Sequence, residues 1–69
     1  MDVNDCNGNS LSDGDSVIVV KTLNVQGSPL VIKKGTKVKN IRLTDDAKEV
    51  DCKVNGTRVV LKTMYLKKK

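Results

Sequence analysis

The chain has 69 residues, with 13 Lys and Arg, eight Asp and Glu and no His, for a formal charge of +5. That length holds one domain, and a chain this short buries only about 60% of its unfolded surface, so its core must be thin. No apolar run approaches the roughly 18 residues of a membrane helix, and Met1-Asp2-Val3-Asn4-Asp5 is acidic where a secretory signal would be basic, so the cytoplasm is the expected compartment.

Phe and Trp are absent and Tyr65 is the single aromatic residue, which leaves the core to Val, Ile and Leu and favours strands. In chain order, Asp5-Cys6-Asn7-Gly8-Asn9-Ser10-Leu11 has an Asn-Gly step between short extended arms and predicts a small hairpin. A calcium loop starting at Asp5 would need Gly where Ser10 stands and a bidentate Glu where Ser16 stands, so turn chemistry is the expected use of these residues. Asp13-Gly14 marks a second turn. The next segment, Ser16-Val17-Ile18-Val19-Val20-Lys21, is apolar on both faces and β-branched, the pattern of a central strand. Leu23, Val25, Leu30, Val31 and Ile32 then flank Gln26-Gly27-Ser28-Pro29, the expected tip of a long, partly extended excursion.

Lys33-Lys34-Gly35 turns the chain into Thr36 to Leu43, the stretch on which the fold reading depends. Side chains alternate faces in a strand, yet Val38 falls on the even positions while Ile41 and Leu43 fall on the odd ones. If all three point inward, a β-bulge near Lys39-Asn40 must bend the strand so that it serves two sheets at a corner, as a small all-β barrel requires. The alternative is an irregular half-strand. Thr44-Asp45-Asp46-Ala47 is too short for a helix and is expected to be a hairpin loop.

After that loop the alternation is clean. Val50, Cys52 and Val54 interleave with Asp51 and Lys53, the turn is Asn55-Gly56, and Thr57, Val59 and Leu61 return. A two-residue turn fixes the register, pairing Val54 with Thr57, Cys52 with Val59 and Val50 with Leu61 on the inner face. The outer face then pairs Glu49 with Lys62, and Lys53 with Arg58 as a like-charge match that should slightly destabilise the hairpin. Two uses of that match stay open: both side chains splay into water, or they hold an anion between them. Asn55-Gly56-Thr57 also fits a glycosylation sequon, a fortuitous match without a secretion signal. Met64-Tyr65-Leu66 is expected to tuck against the open mouth of the barrel, ending the domain at residues 1–66, with Lys67, Lys68 and Lys69 as a solvated, mobile tail.

Cys6 and Cys52, with no His to help, fall short of the four ligands of a zinc site. They are either free thiols, with Cys52 a small core residue, or a disulfide. No metal and no cofactor are expected. Charge is uneven: residues 1–15 contain four acids and no base, while residues 16–69 contain all 13 basic residues and four acids. A basic body of this kind suits nucleic acid or another polyanion, or is an ordinary solubilising surface. The candidate polyanion-binding residues are Lys33, Lys34, Lys37, Lys39, Arg42, Lys53 and Arg58. No catalytic residue is assigned.

The blocks Asp5-Cys6-Asn7-Gly8-Asn9-Ser10-Leu11-Ser12-Asp13-Gly14-Asp15-Ser16-Val17, Lys34-Gly35-Thr36-Lys37-Val38-Lys39-Asn40-Ile41-Arg42-Leu43 and Asp51-Cys52-Lys53 resemble the signature of the PhnA (YjdM-like) family, bacterial proteins named after an alkylphosphonate-utilisation operon. The similarity runs through nearly the whole chain in the same order. It implies a five-stranded SH3-like barrel, in agreement with the bulge and hairpin above. Longer members of that family carry a zinc ribbon of Cys-x-x-Cys knuckles ahead of this domain. This sequence has none, so zinc binding does not carry over. Nor does the hydrolase activity of an unrelated, similarly named phosphonoacetate hydrolase: there is no His, no glycine-rich phosphate loop and no nucleophile with a base beside it. The expected function is a small, non-catalytic binding or adaptor module with a protein partner. Salt-dependent, non-specific binding of nucleic acid or another polyanion is the alternative, and no membrane partner is expected.

Overall fold

The computed structural model describes residues 2–25 and 29–69. Among them there is no α-helix. The strands are β1 (Val17–Val19), β2 (Leu23–Asn24), β3 (Val31–Ile32), β4 (Lys37–Val38), β5 (Arg42–Leu43), β6 (Glu49–Val54), β7 (Thr57–Lys62) and β8 (Leu66–Lys68), with a single 3-10 turn at Thr63–Tyr65. Among the described residues no helix is long and apolar enough to cross a membrane. The strands pair in the orders β4-β1-β8, β2-β3 and β5-β6-β7. The expectation of an all-β chain holds, but the described strands divide among three sheets and form no closed ladder.

β6 and β7 form the longest ladder, in the register expected from the sequence: Val54 opposite Thr57, Cys52 opposite Val59, Val50 opposite Leu61, Lys53 opposite Arg58 and Glu49 opposite Lys62. Asn55 and Gly56 both have positive φ, 53° and 77°, the backbone of a type I′ turn whose twist matches that of the strands it joins. β1 is central to its own sheet, as its doubly apolar sequence predicts. Its Val17 and Val19 have no solvent exposure. They join Ile32, Val38, Ile41, Val50 and Leu66 in a core with no aromatic residue.

Val38 and Ile41 are both buried, so the change of face occurs where the pattern places it. The device differs from the expected bulge. Asn40 adopts φ of 56° and breaks the stretch into β4 and β5, which belong to different sheets. At the same corner Gly14, with φ of 89°, donates its N–H to the Ile41 carbonyl, and the Ile41 N–H donates to Asp15. Asn is among the few residues that enter the left-handed region at modest cost, so its side chain fits the break.

Other expectations change as well. The N-terminal turn is centred on Cys6-Asn7, with the Gly8 N–H bonded to the Asp5 carbonyl, rather than on Asn7-Gly8. The Asp5 carboxylate takes over the turn by accepting the N–H groups of Asn7 and Asn9 at 2.9 and 2.8 Å. Lys67 and Lys68 are not a tail beyond residue 66: they pair with Ile18 and Val17 in β8, and the Lys69 N–H bonds to the Ser16 carbonyl. Leu66 anchors that strand with no solvent exposure, whereas Met64 is 60% exposed and does not tuck inward. The Val25 N–H bonds to the Leu30 carbonyl at the base of the β2-β3 excursion. Of the tip expected at Gln26-Gly27-Ser28-Pro29, residues 26–28 lie outside the described residues.

Candidate anion-binding cleft

The β6 alternation that buries Val50, Cys52 and Val54 turns Asp51 and Lys53 to the opposite face. β5 supplies Arg42 directly across from Asp51, and β7 supplies Arg58 directly across from Lys53. A diagonal neighbour on the same face of an antiparallel pair lies within reach of a long side chain. Arg58 uses that diagonal. Its Nε donates to Asp51 Oδ2 at 2.6 Å, and its Nη2 pairs with the same oxygen.

This contact relieves the like-charge match between Lys53 and Arg58. The hydrogen bond from Arg58, opposed by partial burial and assisted by the charges of Arg58 and Arg42, holds the Asp51 carboxyl below its usual value. Hydrogen bonding to Asp51 and its charge raise the Arg58 pKa in turn. A guanidinium already tied to a carboxylate is pre-positioned with donors left over, because Arg carries five N–H groups in a fixed fork.

Across from this group the corner residues Lys39 and Asn40 close a cleft of about 570 Å³, lined by Lys39, Asn40, Arg42, Asp51, Cys52, Lys53 and Arg58. Four cations therefore face one carboxylate. Of the seven residues expected to bind a polyanion, Lys39, Arg42, Lys53 and Arg58 come together here. Lys37 belongs to the neighbouring sheet, opposite Ile18. Lys33 and Lys34 sit at the turn before β4, where the Thr36 N–H and hydroxyl bond to the Lys33 carbonyl and the Lys34 N–H bonds to Thr22 Oγ1. Asn40, Asp51 and Cys52 are the lining residues not expected from the sequence. The hairpin register already placed Asp51 diagonal to Arg58, so that signal was present. The role of Asn40 depends on a left-handed backbone break, where the sequence pattern marks a change of face but not its form.

The arrangement gathers four cationic side chains around one carboxylate. Burial, followed by the charge of Asp51, pushes the Cys52 thiol up to about 11, which keeps it protonated and unreactive near neutral pH. Cys6 is exposed, and both thiols are free. Among the described residues no three His, Cys, Asp or Glu side chains gather as metal ligands. A second depression, lined by Asp46, Lys48, Glu49, Lys62, Thr63 and Met64, balances its charges. One of its carboxylates, that of Asp46, already accepts the Lys48 N–H at 2.8 Å.

Comparison with known proteins adds a lineage. Residues 3–69 match the family model described as YjdM: PhnA domain. The chain is 51% identical over 67 residues to Protein YjdM of Escherichia coli strain K12, which covers 96% of this chain and 60% of that protein. It is 46% identical over 65 residues to Protein YjdM of Streptococcus mutans serotype c, covering 93% and 59% of the two chains. A Protein YjdM homolog of Haemophilus influenzae is 48% identical over 66 residues, covering 96% and 52%. The chain thus spans between about half and three-fifths of the length of these relatives. With a family match over nearly its whole length and this level of identity, the chain belongs to the YjdM (PhnA domain) family.

Proposed function

We propose that this chain is a non-catalytic binding module, SH3-like in its small-barrel design, that holds an anionic group of its partner in the cleft between Lys39, Arg42, Lys53 and Arg58. The observation that carries the reading is the convergence of four cations from three segments of the chain around a single carboxylate, itself engaged by Arg58. Convergent positive charge beside a low-dielectric wall concentrates anions. The sequence contains no His to act as a general base, which favours binding over turnover. Two free thiols, one of them exposed, fit a reducing compartment such as the cytoplasm. The link to alkylphosphonate utilisation rests on the family name and supplies no residue for chemistry on phosphorus.

The test is an amide NMR titration of the labelled chain with inorganic phosphate at low and moderate salt. Salt-sensitive shifts are expected at residues 39–42 and 51–58, and Arg42→Glu with Lys53→Glu should weaken them about tenfold or more. An unmoved spectrum would refute the anion-binding reading and leave a protein partner, recognised through other loops, as the module's target.

A further inference from the structure

The cleft is not the end of the positive surface. Strand alternation in β8 splits the three terminal lysines between two sides of the sheet. Lys68, opposite Val17, turns toward the acidic N-terminal segment, where its Nζ reaches the Ser10 carbonyl at 3.0 Å and Asp15 Oδ2 at 3.7 Å. Lys67, opposite Ile18, and Lys69, whose N–H bonds to Ser16, lie on the other side. On the far side of β1 the register again sets Lys37 opposite Ile18 and brings Lys39 level with Ser16. The outer face of β4-β1-β8 therefore carries Lys37, Lys39, Lys67 and Lys69 around Ile18 and Ser16. Among the described residues none of these four makes an ion pair.

Standard sheet spacing puts the two lysine-bearing strands about 10 Å apart and successive outward residues of one strand about 7 Å apart. These distances are within or close to a Debye length of about 8–10 Å, so the four ammonium groups repel one another at ordinary ionic strength. The repulsion leaves a trace at Lys69. Contact with Lys37 and its charge, then partial burial, then the charge of Lys39 hold the Lys69 pKa below its ordinary value. Lys39 also lines the cleft. It joins the sheet face to Arg42, Lys53 and Arg58 in one positive track.

Resting on the anion-binding reading of the cleft, we infer that the track from Lys67 and Lys69 through Lys37 and Lys39 to Arg42 and Lys53 binds the phosphodiester backbone of a nucleic-acid duplex. One small anion would occupy the cleft alone, engage Lys39 there and leave Lys37, Lys67 and Lys69 of the sheet face unmatched, whereas a backbone presents phosphates in series. Single-strand recognition draws on stacked aromatic side chains. Here Tyr65 is the single aromatic residue and Lys21 sits over its ring at 5.4 Å, so successive bases have no series of aromatic faces to stack on. A duplex read through its phosphates needs none, and the binding is independent of base sequence.

The experiment compares the parent chain with a Lys67→Glu, Lys69→Glu double variant, using a labelled mixed-sequence DNA duplex and, separately, inorganic phosphate. An amide spectrum of the variant first establishes that β8 remains paired. The duplex affinity of the variant should fall about tenfold or more at low salt, and the slope of log affinity against log salt should flatten by about 2, one counterion for each lost lysine. Phosphate-induced shifts in the cleft should persist. Cleft shifts with an unchanged duplex affinity and slope would overturn the track and leave the cleft reading standing. No cleft shifts with phosphate would overturn the cleft reading and the track with it.

Discussion

Asp5 provides the sharpest test of how the chain holds together. Asp5 is 6% exposed, and its carboxylate accepts the backbone N–H groups of Asn7 at 2.9 Å, Asn9 at 2.8 Å and Lys68 at 2.6 Å. One side chain thus shapes the first turn and secures the last strand, 63 residues away. Asp5→Ala removes the acceptor and strands three backbone donors. A buried donor left unsatisfied costs about 1–3 kcal/mol, and water reaching the turn relieves part of that, so the expected loss is about 3 kcal/mol. A domain of this size has roughly 5 kcal/mol in all. With a urea m-value of about 1 kcal/mol/M, the unfolding midpoint should drop by about 3 M, read by far-UV circular dichroism. The pH dependence gives an independent check. Burial acts to raise the Asp5 pKa, but the N–H groups of Lys68, Asn9 and Asn7 outweigh it and hold the carboxyl below its usual value. A lowered folded-state pKa means that the carboxylate's stabilisation is fully present above about pH 4 and fades as pH falls further. The parent chain should therefore lose more stability between about pH 4 and pH 2 than the alanine variant. A midpoint shift below about 0.5 M, or identical acid profiles, would refute this account of Asp5.

Two further predictions concern the core. Ile41 has no solvent exposure, so Ile41→Asp buries an unpaired carboxylate at a cost of several kcal/mol, enough to unfold a domain with about 5 kcal/mol in hand. Its amide spectrum should collapse to narrow dispersion, and a sharp, native-like spectrum would show that Ile41 does not face inward. The thiols should separate by burial: at pH 8 an aromatic disulfide reagent should modify exposed Cys6 promptly and Cys52, with its thiol raised to about 11, only on unfolding. Two prompt equivalents would place Cys52 outside the core.

Local pattern alone dictates the hairpin. Alternating Val50, Cys52 and Val54 with an Asn-Gly turn allow one register that buries the apolar face, and that register also fixes Arg58 diagonal to Asp51. The step of three from Val38 to Ile41 was equally readable as a change of face. Its mechanism was not, because a bulge and a left-handed break at Asn40 move the side chains alike and only backbone geometry separates them. Four of the seven basic residues singled out from charge share the cleft, since charge counting cannot tell which strands end on one face. The largest revision is at the end of the chain. Lys67, Lys68 and Lys69 have no apolar pattern and read as a solvated tail. Leu66 in the core, the β1 ladder and the Asp5 carboxylate nevertheless order them as an edge strand. The β1 residues and Asp5 lie some 50 to 63 residues away in the chain from the lysines they order. Local propensity carries no trace of pairing at that separation, so only the tertiary structure could decide that Lys68 faces the acidic segment while Lys67 and Lys69 extend the positive face.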